Sequence, residues 1–231
     1  MLALPDGYLV LTEHPVPGAP AMVLFCHGLG GDREGPAGLF SQLASAANAA
    51  GCSAVRFDFR GAGESSGNFE DTTMAGMMAD VLAVVAWSIG AVPDRAVIVA
   101  GHSVGGVVAA AVASRCPAEV AGALLLACDL GPYDYGADDP VLFARDTARF
   151  PAAFSAERAT LDLRAVSFLC PVHYIGGSLE RGGILDTMRG LSMRGIPVTV
   201  IENGDHLFSR HRENMARSTA QALSILTRSI T

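Results

Sequence analysis

The sequence predicts an α/β fold with a mostly parallel central sheet and helices on both faces. Three observations predict it. Short apolar runs rich in β-branched residues alternate with longer helical patterns along the chain, the rhythm of repeated strand–helix–strand units. The runs are apolar at consecutive positions, as in strands covered on both faces. The chain has 231 residues, 50% hydrophobic and 17% charged, enough for one domain with a sizeable core.

Taken in order, "GYLVLT" (7–12) opens the series, and "MVLFC" (22–26) is the first uninterrupted apolar strand. "SAVRFD" (53–58), "AVIVA" (96–100), "AGALLLA" (121–127), "PVHYIG" (171–176) and "PVTVI" (197–201) follow at spacings that leave room for a helix between each pair. Helical patterns fill those gaps at 38–50, 74–90, 104–115, 184–194 and 211–228. No repeat or low-complexity tract interrupts the order, so residues 1–231 read as one domain. Residues 131–165, "GPYDYGADDPVLFARDTARFPAAFSAERATLDLRA", carry most of the aromatic and acidic residues of the second half and read as an insertion or short lid between two strands.

Composition removes several function classes. The net charge is −7 and all sixteen basic residues are Arg; no basic run is present that could displace counterions from phosphates, which argues against nucleic-acid binding. Cys26, Cys52, Cys116, Cys128 and Cys170 are odd in number and widely spaced, with no CxxC pair, so reduced, mostly buried thiols and no metal site are expected. The start "MLALPDGYLVLTEHP" lacks a basic segment followed by a long apolar one, and a cytoplasmic location is expected.

Chemistry concentrates in "VIVAGHSVGGVVAAAVA" (97–113). A membrane span needs about 20 largely apolar residues, whereas His102, Ser103 and paired glycines interrupt this run. It divides instead into strand 96–100, a turn Gly101-His102-Ser103-Val104-Gly105, and helix 104–115. That is GxSxG in a strand–turn–helix context: small residues two before and two after the serine allow a sharp turn that lifts Ser103 over the carboxyl edge of the sheet. The free N–H groups and positive dipole end of the helix then face charge developing near Ser103.

A serine hydroxyl is a weak nucleophile at neutral pH and requires a base, an acid that orients the base, and donors for the oxyanion. The base is expected after the last strand, where "VTVIENGDHLFS" places His206. His27, His102 and His173 lie in or beside buried strands and turns and read as core or supporting residues, while His14 and His211 read as surface residues and Asp205 as a loop-shaping one. The oxyanion donors are expected to be the N–H of Val104 and that of Leu29 in "LFCHGLGG", whose glycines Gly28, Gly30 and Gly31 let backbone approach substrate.

"HGLGGDRE", "VRFDFRGAGESSGNFEDTT", "VAGHSVGGVVAA" and "VIENGDHLFS" together resemble the motifs of α/β-hydrolases, most closely the cinnamoyl and feruloyl esterase type. The match runs in order from about residue 22 to 228 and is weakest over 131–165. The resemblance implies the α/β-hydrolase fold, Ser103 as nucleophile, His206 as base, and Leu29 and Val104 as backbone oxyanion donors. It also makes Asp58 and Arg60 in "FDFRGAGES" a turn-locking pair. The acid is where the sequence departs. Such esterases are similar in an aspartate three residues after a glycine, in a "PVxxIHGxxDxxV" stretch, and here the stretch reads "PVHYIGGSLERGGIL". Gly177 takes the glycine position and Glu180 the aspartate position, with Asp129, at the end of strand 121–127, and Asp186 as competing acids.

The expected activity is cleavage of a carboxylic ester or thioester of a small acyl or aryl-acyl substrate through an acyl-enzyme, with no metal or organic cofactor. Tyr133, Tyr135, Phe143, Phe150 and Phe154 are expected to line the pocket, or to pack the lid onto the sheet. Rival readings are a biosynthetic thioesterase, acyltransferase or peptidase with the same triad, an isomerase or cyclase using His206 as a base without acylation, and a catalytically silent binding protein. The expected partner is a small acyl substrate, with neither nucleic acid nor membrane involved, and the chain is expected to be a monomer or a homodimer.

Overall fold

A computed structural model describes residues 1–93, 95–115, 118–135 and 151–230. Its centre is a sheet of strands β3 (Leu11–His14), β4 (Ala21–Cys26), β5 (Ser53–Phe57), β6 (Ala96–His102), β7 (Gly122–Leu126), β8 (Val172–Gly177) and β9 (Val198–Ile201). Their spatial order is β3-β5-β4-β6-β7-β8-β9, with β3 antiparallel to β5 and every other pair parallel. The order reverses beside β4 and β6, the topological switch point at which open α/β sheets place their ligands, beyond the carboxyl ends of the strands.

Helices α1 (Leu39–Ala49) and α6 (Arg212–Ile230) cover one face. α2 (Met74–Ala91), α3 (Val104–Arg115) and α5 (Gly182–Met193) cover the other. β4, β5, β7 and β8 are buried at every position. Double coverage therefore explains their continuous apolar sequences. α2 is long and apolar enough, by length and composition, to cross a membrane. Here Met74, Met77, Val81, Val84 and Val85 instead enter the core cluster beneath the sheet.

The N-terminal segment differs from expectation. The predicted strand 7–12 is two strands: β2 (Gly7–Leu9), which forms a separate antiparallel ribbon with β1 (Leu2–Leu4), and β3 in the main sheet. The break falls at Val10, whose N–H donates to Ser65 Oγ at 2.9 Å and whose carbonyl accepts from Asp58 N–H at 3.0 Å. Tertiary partners from the 58–66 loop thus replace a strand neighbour. A second departure is helix α4 (Ala152–Thr160), formed inside the segment expected to be a lid.

Asp58 and Arg60 both lock turns, but not as a pair with each other, which corrects the expectation. Buried Asp58 accepts from the N–H of Arg33 and of Glu64 and pairs with the Arg33 guanidinium. Arg60 pairs with Asp80 and Asp6, both at 2.7 Å. The first network fastens the loop after β4 to the loop after β5, and the second fastens the latter to α2 and the N-terminal ribbon.

Candidate active site

β6 runs through Gly101 and His102, and α3 begins at Val104. Between them Ser103 has φ +56°, a left-handed conformation that costs a non-glycine residue on the order of 1–3 kcal/mol unless its surroundings impose it. They do: Ser103 N–H donates to the Leu126 carbonyl at 2.9 Å, and the Ser103 carbonyl accepts from Gly106 and Val107 at 2.9 and 3.2 Å. The flanking glycines are required by contact. A Cβ on Gly101 would stand 2.1 Å from the Gly105 carbonyl oxygen, and one on Gly105 would stand 2.2 Å from that of Cys26. The turn is tight because backbone touches backbone where side chains would be.

His206 lies between the other two groups. Its Nε2 is 3.1 Å from Ser103 Oγ and its Nδ1 is 3.1 Å from Glu180 Oε2. With a carboxylate accepting at Nδ1, the ring proton sits there and Nε2 keeps the lone pair that can take the serine proton. Two loops bring these residues together. The acid loop after β8 and the base loop after β9 are joined by Ser178 N–H to the Ile201 carbonyl, Leu179 N–H to the Gly204 carbonyl, and Asn203 N–H to Ser178 Oγ. A Cβ on Gly177 would stand 2.1 Å from the Gly204 oxygen, so this join also depends on a glycine.

The Glu180 side chain is 2% exposed and that of His206 is 41% exposed. The carboxylate is thus shielded while the imidazole opens to solvent. Neither competing acid contacts His206. Asp129 closes the turn after β7, accepting from Gly131 N–H at 2.8 Å, and its other oxygen would meet a Cβ on Gly183 at 1.9 Å. It is packed against the start of α5. Asp186 is on the exposed side of α5 and pairs with Arg189 at 3.3 Å.

The loop after β4 passes beside the serine: a Cβ on Gly28 would lie 3.4 Å from Ser103 Cβ and 3.8 Å from its Oγ. His27 shapes this loop, its Nδ1–H donating to the Gly28 carbonyl at 2.8 Å and its Nε2 accepting from Phe59 N–H at 3.1 Å. Among the described residues, the N–H groups of Leu29 and Val104 have no hydrogen-bond partner. Both donors are therefore available to a ligand.

The aromatic residues of the insertion divide between surface and core, although Tyr135 and Phe154 stay in contact with ring centroids 5.6 Å apart. Tyr133 is exposed and Tyr135 half-buried, their rings 4.7 Å apart. Phe154, expected with them in the pocket, is fully buried in the core and anchors α4 there. Phe143 and Phe150, like Cys116, lie outside the described residues. Two residues of α4 escaped the sequence reading. Buried Arg158 donates to the carbonyls of Asp129, Gly131 and Leu161, and Glu157 accepts from the N–H of Met74 and Ala75 at the start of α2. In sequence both resemble an ordinary solvated helix face, and only the tertiary arrangement gives them partners.

Two clefts, of about 410 and 320 Å³, lie elsewhere. Neither is lined by Ser103, His206 or Glu180.

A serine raised above the carboxyl edge of a parallel sheet, in hydrogen-bonded line with a histidine and a carboxylate from the ends of the last two strands, defines an α/β-hydrolase-fold serine hydrolase. The chain belongs to the Hydrolase_4 family, whose model, described as "Serine aminopeptidase, S33", matches residues 18–163. That match takes in Leu29 and Ser103 and ends before Glu180 and His206. No match is found among curated proteins. Among solved structures, the chain is similar to Est1E from Butyrivibrio proteoclasticus with ferulic acid bound, at 18% identity, TM-score 0.80 and coverage of 99% of this chain and 98% of that one. It is similar to a monoacylglycerol lipase from Paleococcus ferrophilus at 17% identity and TM-score 0.73, covering 94% and 99%. A thermophilic esterase from Thermogutta terrifontis, with malate bound, is 20% identical with TM-score 0.71, covering 99% and 97%. At such identities the likeness is one of fold.

Proposed function

We propose that Ser103, His206 and Glu180 form a catalytic triad that cleaves a carboxylic ester or thioester of a small acyl or aryl-acyl group through an acyl-enzyme. The observation that carries this reading is the single imidazole within hydrogen-bonding distance of both Ser103 Oγ and Glu180 Oε2. His206 Nε2 takes the hydroxyl proton as Ser103 Oγ bonds to the acyl carbon, and the imidazolium is held by Glu180. The tetrahedral oxyanion is met by the N–H groups of Leu29 and Val104, with the positive end of α3 behind them. His206 returns the proton to the departing alkoxide or thiolate. Water, deprotonated by the same nitrogen, then attacks the acyl carbon, and collapse of the second intermediate releases the acid and restores the Ser103 hydroxyl. The steps require neither a metal nor an organic cofactor. On this reading Tyr133 and Tyr135 contact the acyl or aryl group from the lid side.

The names of the structural neighbours, a ferulate-bound esterase and a monoacylglycerol lipase among them, support an ester substrate. The description of the family model as a serine aminopeptidase favours an amide as the second reading, since the same triad can acylate from either. Incubation with a fluorophosphonate followed by intact-mass measurement tests the common step. One stoichiometric adduct, lost in Ser103→Ala, is expected; folded protein that takes none would overturn the reading. Turnover of p-nitrophenyl, feruloyl, acyl-thioester and aminoacyl-amide substrates then separates ester from amide.

A further inference from the structure

We infer that His102 is a positioning residue for the base: by a hydrogen bond to the main chain of His206 it sets the height at which the imidazole reaches both Ser103 and Glu180. The inference rests on the triad proposed above and assigns a task to a side chain the triad itself does not use. His102 Nε2–H donates to the His206 carbonyl at 2.7 Å. The two rings are 5.0 Å apart at 42°, and the His102 ring also packs edge-on to Phe208 at 6.2 Å.

The base loop's other hydrogen bonds are of two kinds: those from Leu179 N–H to the Gly204 carbonyl and from Asn203 N–H to Ser178 Oγ hold it to the acid loop, and turn bonds such as that from Phe208 N–H to the Asp205 carbonyl close it on itself. Both leave its distance to the nucleophile free. The His102 bond supplies that third side, because His102 and Ser103 are consecutive and Ser103 is itself fixed by its N–H bond to Leu126. Any shift of the base loop away from β6 must stretch this bond, and any shift of β6 carries serine and anchor together.

The chemistry of the side chain suits the task. His102 is 3% exposed. Burial, and secondarily the neighbouring His206, lower its pKa to about 3; His206 is the titratable group that acts on it. The ring therefore stays neutral, keeps its Nε2 proton for donation, and puts no second positive charge beside the imidazolium that forms during turnover. A displacement of about 1 Å in a catalytic group can cost roughly 100-fold in rate, which sets the size of effect to look for.

The test compares His102→Phe, which keeps a ring and loses the donor, with His102→Gln, which keeps a donor of similar reach. With fold verified by circular dichroism and thermal melting, His102→Phe is expected to lower kcat by about 10- to 100-fold with KM within twofold. Fluorophosphonate labelling of Ser103 should slow in parallel. His102→Gln is expected to recover most of both. Wild-type kinetics in folded His102→Phe, or a His102→Gln as slow as His102→Phe, would overturn the inference and leave His102 a packing residue. If the phenylalanine variant does not fold, the glutamine variant decides alone: near wild-type turnover supports the inference, and a drop of 10-fold or more overturns it. The ring resonances of His206, followed by NMR across pH, read its placement even in protein that hydrolyses no ester. Unmoved His206 ring resonances in folded His102→Phe therefore refute the positioning role, whereas absent turnover and labelling in wild type refute the triad.

Discussion

Glu180 carries a side chain one methylene longer than the aspartate that similar esterases use, and its placement shows how the extra length is absorbed. The acid loop is held to the base loop by main-chain bonds from Ser178 and Leu179, so the backbone at 180 is set by its neighbours and the longer side chain spans the remaining distance to Nδ1. Glu180→Gln, which keeps the shape and removes the charge, is expected to lower kcat by about 10⁴-fold, measured as steady-state turnover of a p-nitrophenyl ester. Glu180→Asp should also be slow because the shortened carboxylate no longer reaches His206. Asp129→Asn should leave kcat within a few-fold, since Asp129 bonds its own turn; the opposite ranking would move the acid to Asp129. Ser103 and His206 could be named from sequence because their positions follow from local signals, a GxSxG turn and a histidine after the last strand. Glu180 came first among the candidate acids on its motif position, but Asp129 and Asp186 stayed open, because the choice depends on which of three carboxylates a fold turns toward one imidazole.

The elements repeat this division. β6, the turn at Ser103 and α3 were legible together because two glycines and a serine between apolar runs admit one geometry. Gly105→Ala tests it: with a Cβ 2.2 Å from the Cys26 oxygen, the variant should lose more than about 3 kcal/mol in urea unfolding or fail to fold. α4 was not legible, since its aromatic and charged residues suggested a lid surface whereas Phe154 enters the core and Arg158 is buried among carbonyls. The contact of Glu157 with the first N–H groups of α2 is a helix cap supplied from a distant helix. Glu157→Ala is expected to cost about 1 kcal/mol of stability, measured by the same unfolding experiment. An unchanged midpoint would mean that Thr73, whose side chain accepts from Gly76 N–H at 2.8 Å, caps α2 sufficiently alone. The division of 7–12 into β2 and β3 is a case of the same kind, decided by bonds from Ser65 and Asp58.

For the molecule as a whole, several histidines link stability to pH. His102, His173 and His14 all have folded pKa values below the ordinary 6.5, each chiefly through burial. In this window the unfolded chain binds protons that the folded chain refuses, so stability is full above pH 6.5 and falls as pH drops through 6.5 toward the folded values, about 3 for His102. One fully buried group contributes a slope of at most about 1.4 kcal/mol per pH unit. Buried Asp80, its pKa raised chiefly by desolvation, works in the opposite sense, but only between the ordinary carboxylate value and its raised one. The melting temperature is therefore expected to fall between pH 7 and pH 5, and His102→Gln should show a shallower dependence. Equal slopes in the two proteins would remove His102 from the cause.

By itself the sequence determined the alternation of strands and helices, the turn that presents Ser103, the histidine after the last strand and the superfamily they imply, because each rests on short-range patterns of apolar period, glycine placement and motif spacing. The tertiary structure decided which carboxylate lies against His206, that Phe154 is core, that Asp58 and Arg60 hold different partners, and that His102 reaches the loop after β9. Those outcomes join residues roughly 20 to 100 positions apart, and nothing local in the chain encodes which of several chemically equivalent groups a folded sheet will bring within hydrogen-bonding distance.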